Sequence, residues 1–345
     1  MRDVVGMVLC AGLGTRLRPL TDRVPKPAVP LCGVPLIRWN LALLRGAGVR
    51  RAAINTHHLP AAMAAAARDA ALALGIELSI SHEPVIAGTG GALREARALL
   101  DGAEAIFLVN GDILFDVDLD DALSVHRRSG ALATMVLAPM PEGGRYAAVE
   151  MDRTGAVRRI AGRFGPGGEE LSPWHFTGVH VLSPQVLDLV PAEPFELDVN
   201  RHVYPALMER GELRGHLARG YWNDLGTPGR YLDASRDVLE GRLPLARFGG
   251  AEPFDGAPVR APGVHVHETA RVDAGATLAA PCAIGRAAHV AAGARVGPSV
   301  FVGDGATIGP GALLRDAAVW SGTSVAPGES LERCVAAGAL RVAGE

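Results

Sequence analysis

Along the first two thirds of the chain, short apolar runs alternate with stretches of helical periodicity. Residues 4–10, VVGMVLC, are almost continuously apolar, which suits a strand buried on both faces. Residues 36–47 place apolar side chains at helical spacing, 52–55 read as a strand, and 61–74 as an Ala-rich helix. A strand is expected at 77–81, a helix at 91–100 and a second fully buried strand at 105–109, AIFLV. Further strands are expected at 131–137, 147–151 and 178–182. Strands and helices alternating at this spacing predict an α/β fold, a mostly parallel sheet with helices on both faces.

The pattern then changes. Residues 241–263 are rich in Gly and Pro and lose periodicity. From Val266 onward every sixth residue is aliphatic: Val266, Val272, Leu278, Ile284, Val290, Val296, Val302, Ile308 and Leu314. Two positions before each stands a small or β-branched residue, from Val264 and Ala270 through to Ala312. The phase slips by one and resumes at Val319, Val325 and Leu331. A hexad of this kind predicts a parallel β-helix, with the small residue at a tight corner and the aliphatic one stacked in the core. The chain therefore divides into 1–242, a linker 243–263, and a hexad-repeat domain 264–345. A stack of coils leaves a flat flank or end, so a homo-oligomer assembled through it is expected.

Composition narrows the possibilities. The 345 residues are 48% hydrophobic and 21% charged, an ordinary globular balance. The net charge of −3 gives no support for nucleic acid or anionic lipid as a partner. No run of eighteen apolar residues occurs, so no membrane span is expected. The N-terminal apolar run passes straight into a Gly-rich turn, which reads as a strand rather than a signal peptide. Four scattered cysteines without a CxxC pair argue against a zinc site or disulfide framework and point to the cytoplasm. Of the 34 basic residues all but one are arginine, and the exception is Lys26. A compact ammonium and a planar guanidinium are not interchangeable. The lone lysine is either a relic of codon drift or a place where a point charge is needed.

Four segments carry candidate chemistry. The first strand leads into Ala11-Gly12-Leu13-Gly14-Thr15-Arg16, which can present backbone N–H groups to an anion or simply turn the chain. It is not a Walker loop, and it lacks the third glycine of a dinucleotide fingerprint. In Pro25-Lys26-Pro27 the flanking prolines hold the lysine in a rigid setting. The strand 105–109 ends in Asn110-Gly111-Asp112, where a carboxylate could bind Mg2+ or serve a turn. Tyr221-Trp222-Asn223-Asp224-Leu225-Gly226-Thr227-Pro228 offers a second such carboxylate.

In this order, GxGTRLxPLT, PKP, NGD and WxDxGTP resemble the sugar-1-phosphate nucleotidyltransferase family, the NDP-sugar pyrophosphorylases, across residues 3–240. The hexad tail is similar to the left-handed β-helix carried by several members, notably the mannose-1-phosphate guanylyltransferases. The resemblance implies a Rossmann-like catalytic domain, Mg2+ as cofactor, and an NTP and a sugar 1-phosphate as substrates. It implies catalytic roles for Arg16, Lys26, Asp112 and Asp224, the two aspartates holding the metal. Ala11, Gly12, Gly14, Thr15, Gly111, Glu83, Gly88 and Thr89 would meet the nucleotide. Glu83 opens a segment, EPVIAGTGGA, similar to a base-recognition loop, and could accept from the N1–H and amino group of guanine. The family's Glu-Lys-Pro lysine is missing, and Arg163 or Arg159 could replace it. Gly178 and Asn200 complete the expected sugar-phosphate side. His57 and His58 read as structural, since a phosphate monoester is already anionic. The expected reaction joins GTP to mannose 1-phosphate or a relative. The alternatives are uridylyl or thymidylyl transfer to another hexose 1-phosphate, N-acetylmuramic acid 1-phosphate included, or a non-catalytic subunit that senses an NDP-sugar.

Overall fold

The computed structural model describes residues 3–141, 146–163 and 170–344. Val4–Leu9 runs through the middle of a nine-stranded sheet. It pairs in parallel with Arg51–Thr56 on one side and Ala105–Asn110 on the other, and Glu77–His82 extends the parallel half. Helices Leu36–Gly46 and Pro60–Leu74 make the crossovers. Gly6 is required here: a Cβ at this position would lie 2.7 Å from Leu44 Cδ1 of the covering helix. Beyond Ala105–Asn110 the direction reverses. Ser172–Leu182 runs antiparallel to it and also to Ala133–Ala138 and Ala148–Met151, so the sheet is mixed in its second half. Leu213–Leu217 adds in parallel to Ala133–Ala138.

Several elements differ from the apolar pattern. The helix expected at 91–100 is two, Gly88–Glu95 and Arg97–Leu100, joined at Ala96. Helix Leu119–Ser129 is masked by its polar sequence, yet it is bounded by recognisable caps. Asp118 accepts from Asp121 N at its start, and Gly130 at φ +66° ends it. Helix Pro228–Leu239 likewise begins with Thr227 accepting from Arg230 N and with Pro228 in its first turn.

The chain folds into two compact units that do not follow chain order. One holds the residues up to Gly12 and Asn40–Trp222. The other holds Leu13–Trp39 together with everything from Asn223 onward. The Gly14 turn, the single lysine and the hexads therefore fold as one body.

Within that second unit the hexads form three parallel ladders. Val264 pairs with Cys282 and Cys282 with Val300, while Arg271–Val272 and Thr277–Leu278 step in the same way. The step is 18 residues, so three hexads close one coil. It shortens to 17 where Val302 meets Val319, Ile308 meets Val325 and Leu314 meets Leu331. That is the one-residue slip in the pattern. Ile284, Val290, Val302 and Ile308 are fully buried, and so are the small corner residues Ala288, Ala294, Ala306 and Ala312. Antiparallel strands meet the first and last strands of the stack: Val259–Ala261 on Val264–Val266, and Leu340–Ala343 on Ser330–Ala337. The first of these lies in the stretch expected to be linker.

Two buried histidines of the first unit tie stability to pH. His126 bonds Thr134 Oγ1 at 2.9 Å and Ser183 Oγ at 3.0 Å, and burial, with Arg127 nearby, pushes its pKa down to about 4. His180 bonds Tyr204 Oη at 2.7 Å, and burial pushes it down to about 3. The unfolded chain takes up these protons near pH 6.5, the folded one only well below, so the native state binds fewer protons between. Stability is expected to fall steadily as pH drops from 6.5 toward 4, with His126→Gln flattening the slope. Urea denaturation midpoints measured across this range check it.

Candidate active site

In the first unit the carboxyl ends of the parallel strands are joined by a chain of hydrogen bonds. Cys10 N donates to Asn55 Oδ1 at 2.7 Å, and Asn55 Nδ2 donates to Glu83 Oε1 at 2.8 Å. Ala87 N donates to Glu83 Oε2 at 2.9 Å, and the His57 ring bonds Glu83 O at 2.8 Å. Glu83 is only 2% exposed. Both carboxylate oxygens are thus engaged by the protein, and the side chain expected to read a base edge braces the loop instead. Ala11 is buried beside this chain, whereas Gly12 faces open space, with nothing within 4 Å of where a Cβ would stand.

Gly88 sits at φ +74°, and a Cβ there would be 2.4 Å from Leu197 O. Thr89 Oγ1 accepts from Val199 N at 2.9 Å. The Gly88–Glu95 helix is thereby locked to the segment that carries Asn200. Gly111 N donates to Leu9 O at 2.9 Å, and any Cβ would strike that same oxygen at 2.7 Å. This close approach delivers the half-buried Asp112 just past the strand end.

A cleft of about 370 Å³ opens on the antiparallel half of the sheet. Met135, Val149 and Phe176 form apolar walls, and Arg163, Asp198, Asn200 and Arg201 supply the polar ones. Two expected sugar-phosphate residues, Arg163 and Asn200, therefore meet in one cavity. Gly178 is not on its wall; at φ +89° it packs against the Asn110 side chain. Arg159 pairs with Glu150 at 3.3 Å and Arg158 with Asp152 at 2.7 Å, which leaves Arg163 as the guanidinium of this stretch that lines the cleft. Asn200 Oδ1 is buried with no hydrogen-bond partner among the described residues, an acceptor suited to a ligand hydroxyl.

The second unit carries the Gly14 turn, the single lysine and Asp224. Gly14 turns the chain at φ +63°, where a Cβ would press on Thr21 and on Lys26 Cβ at 3.0 and 3.1 Å. Thr21 Oγ1 donates to Gly14 O at 2.8 Å, and Thr15 and Arg16 follow in an exposed 3-10 turn. Lys26 is 5% exposed, and its Nζ donates to Asp224 O at 2.8 Å. The Asp224 carboxylate lies between two arginines: Arg230 Nη1 at 2.7 Å from Oδ1 and Arg16 Nη1 at 3.8 Å from Oδ2. Gly226 N also donates to Oδ1 at 3.1 Å. Burial raises the pKa of this carboxyl, but Arg230, Lys26 and the Gly226 N–H outweigh it and hold the group below its ordinary value. Arg16, Lys26 and Asp224 are thus brought together in one cluster. Arg230 is absent from the sequence expectation, although Thr227-Pro228 marks a helix start and places Arg230 in its first turn. Asn55 is absent too, because a strand-end asparagine carries no signal of its own.

Among the described residues no three His, Cys, Asp or Glu side chains are grouped to hold a metal ion. Mg2+ does not need such a cage, since it binds through one or two carboxylates plus substrate phosphates. Asp224, kept ionised in a cationic pocket, and Asp112, beyond a strand end, are hard-oxygen donors of that kind. No described helix is long and apolar enough to cross a membrane.

Comparison with known proteins gives the family of the chain. Residues 5–241 match the model of the nucleotidyl transferase family. A mannose-1-phosphate guanylyltransferase catalytic subunit beta from Danio rerio is 31% identical over 234 residues, which is 66% of this chain and 62% of that protein. A mannose-1-phosphate guanylyltransferase from Mycobacterium tuberculosis is 30% identical over 289 residues, 83% of this chain and 76% of that one. The chain thus spans about three fifths of the length of the first of these curated relatives. A crystal structure described as a putative glucose-1-phosphate thymidylyltransferase from Bacillus anthracis superposes with a TM-score of 0.59 at 19% identity, covering 67% of this chain and 94% of that one. At that identity the likeness concerns the fold.

The Glu83 brace is open to a direct check. Glu83→Ala strands Asn55 Nδ2 and Ala87 N without their acceptor and is expected to cost about 1–3 kcal/mol for each group left unpaired. Glu83→Gln keeps one acceptor oxygen and is expected to lose less. Urea denaturation of the two variants beside the parent measures the difference.

Proposed function

We propose that this chain, which belongs to the nucleotidyl transferase family, transfers a nucleotidyl group from an NTP to a sugar 1-phosphate, giving NDP-sugar and pyrophosphate. The observation that carries the reading is the buried Lys26 ammonium held 2.8 Å from Asp224 O, beside a carboxylate flanked by Arg16 and Arg230. Such a set suits a polyphosphate whose charge shifts during reaction. The proposed substrates are GTP and mannose 1-phosphate, in line with the named activity of the relatives above.

An oxygen of the sugar phosphate attacks the α-phosphorus in line. The new P–O bond forms as the bond to the bridging oxygen of the β-phosphate breaks, and that oxygen leaves as part of pyrophosphate. The nucleophile is already an anion, so no protein base or covalent intermediate is required. Gly12, Gly14 and Thr15 are proposed to meet the triphosphate with backbone N–H groups. Arg16, far more exposed than Lys26, receives the departing pyrophosphate. Lys26 offers a fixed point charge near the reacting phosphorus. Asp112 and Asp224 are the proposed ligands of Mg2+, which when bound neutralises phosphate charge. Glu83, Gly88 and Thr89 shape the loop on the base side, Glu83 by holding it rather than by touching the base. Arg163 and Asn200 are proposed to grip the sugar phosphate and a sugar hydroxyl in the 370 Å³ cleft. Four buried free thiols fit a reducing compartment, and the cytoplasm is the proposed location, with self-association through the hexad tail.

The test is pyrophosphate release with Mg2+, crossing GTP, UTP, dTTP, CTP and ATP with a panel of sugar 1-phosphates. GTP with mannose 1-phosphate is expected to turn over fastest. Lys26→Met and Asp112→Ala are expected to lower kcat by about 10²–10³-fold. An NDP-sugar that raises the melting temperature while no pair reacts would instead mark a non-catalytic sensor.

A further inference from the structure

We propose that Trp320, a residue of the hexad tail, is a positioning residue for the lysine–aspartate set and acts through Tyr231. The proposal rests on the reaction set out above, because that reaction gives the set its role. Trp320 Nε1 donates to Tyr231 Oη at 3.0 Å, and Tyr231 Oη donates to Pro30 O at 2.6 Å. Tyr231 is 1% exposed, and burial holds its phenol protonated, so it keeps the hydrogen it gives to Pro30.

What these two bonds touch makes them more than packing. Pro30 closes the short segment that presents Lys26, in which Ala28 N donates to Pro25 O and Val29 N to Lys26 O. Tyr231 is the neighbour of Arg230 on the same helix, and Arg230 grips Asp224. A single side chain of the tail therefore bears on the backbone beneath Lys26 and on the helix turn that carries Arg230.

The rest of the Pro228–Leu239 helix is docked on the coils. It packs against Val300–Val302, Leu313–Val319 and Ser330–Ala337. Arg333 bridges Asp233 of the helix at 3.2 Å and Asp316 of a coil corner at 2.9 Å, and Arg236 pairs with the same two carboxylates. Cys32, two residues past Pro30, packs its sulfur on Ser235 of the helix. The tail thus sets the height and angle of the helix, and the Trp320–Tyr231–Pro30 chain passes that setting to the lysine segment. Catalytic groups must be held within a fraction of an ångström of the productive geometry, so slack in this chain reaches the rate.

The test is Trp320→Phe, which keeps an aromatic ring in place, removes the N–H and gives up three ring atoms with it. Loss of one such bond is expected to lower kcat by about three- to tenfold with little change in KM for the sugar 1-phosphate. Amide hydrogen exchange at Ala28 and Val29 is expected to quicken, while that at Ile106 and Leu108 in the other unit stays as in the parent. Tyr231→Phe loses both bonds and falls further. Because the bonds lie in series, the double variant is expected to be no slower than Tyr231→Phe alone. Arg271→Gln, which removes a surface ion pair with Asp273 on the same tail, is expected to leave kcat unchanged. Unchanged exchange at Ala28 and Val29 in Trp320→Phe, or strictly additive losses in the double variant, would overturn the proposal. A parent that turns over no NTP and sugar 1-phosphate pair would defeat the reaction instead, and the exchange measurement would then decide the positioning role by itself.

Discussion

An ammonium that is 5% exposed must find oxygen in place of the water it has lost. Lys26 finds it at Asp224 O, 2.8 Å away and 198 residues on in the chain. This one contact dictates much of the second unit. The prolines on either side fix the backbone that carries the lysine. Gly14 keeps its φ of +63° directly against Lys26 Cβ, where a side chain would intrude. The Asp224 carboxylate, adjacent to the carbonyl that holds the lysine, is in turn balanced by Arg230 and Arg16. Of these cations Arg230 is the nearest to the carboxylate, and its removal would take away the closest charge balancing a largely buried Asp224.

The single lysine among 34 basic residues is buried, whereas no described arginine is. The arginines around it lie where the planar fork can spread: Arg16 is 64% exposed, and Arg230 reaches its partner from a site 39% exposed. At position 26 the Lys26 Cβ lies under the Gly14 turn and the ammonium reaches Asp224 O. A guanidinium would need room and several acceptors in a plane.

How much was legible follows from the same physics. Val4–Leu9 and Ala105–Asn110 were readable because strands buried on both faces need nearly unbroken apolar runs. The hexads were readable because each coil repeats one packing problem, down to the slip between Leu314 and Val319. Arg16, Lys26 and Asp224 could be named from their local settings, although nothing local shows that they share a pocket. Glu83 differs from its expected role: an acidic residue after a strand reads as free to meet a ligand, whereas Asn55 and Ala87 N draw it inside. Arg230 and the Trp320–Tyr231 bond were illegible, since each depends on which face of the Pro228–Leu239 helix meets the coils. The grouping of Leu13–Trp39 with the tail was illegible for a further reason, because chain order does not reveal which distant segments pack together.

The central claim is that Gly14, Arg16 and Lys26 receive the triphosphate. The most direct measurement is a crystal structure of the chain with Mg2+ and a guanosine triphosphate analogue whose α–β bridging oxygen is replaced by a methylene. The account predicts phosphate oxygens within hydrogen-bond distance of the Gly14–Arg16 backbone N–H groups and of Lys26 Nζ. A triphosphate seated elsewhere, with Lys26 still bonded to Asp224 O and untouched by phosphate, would contradict it.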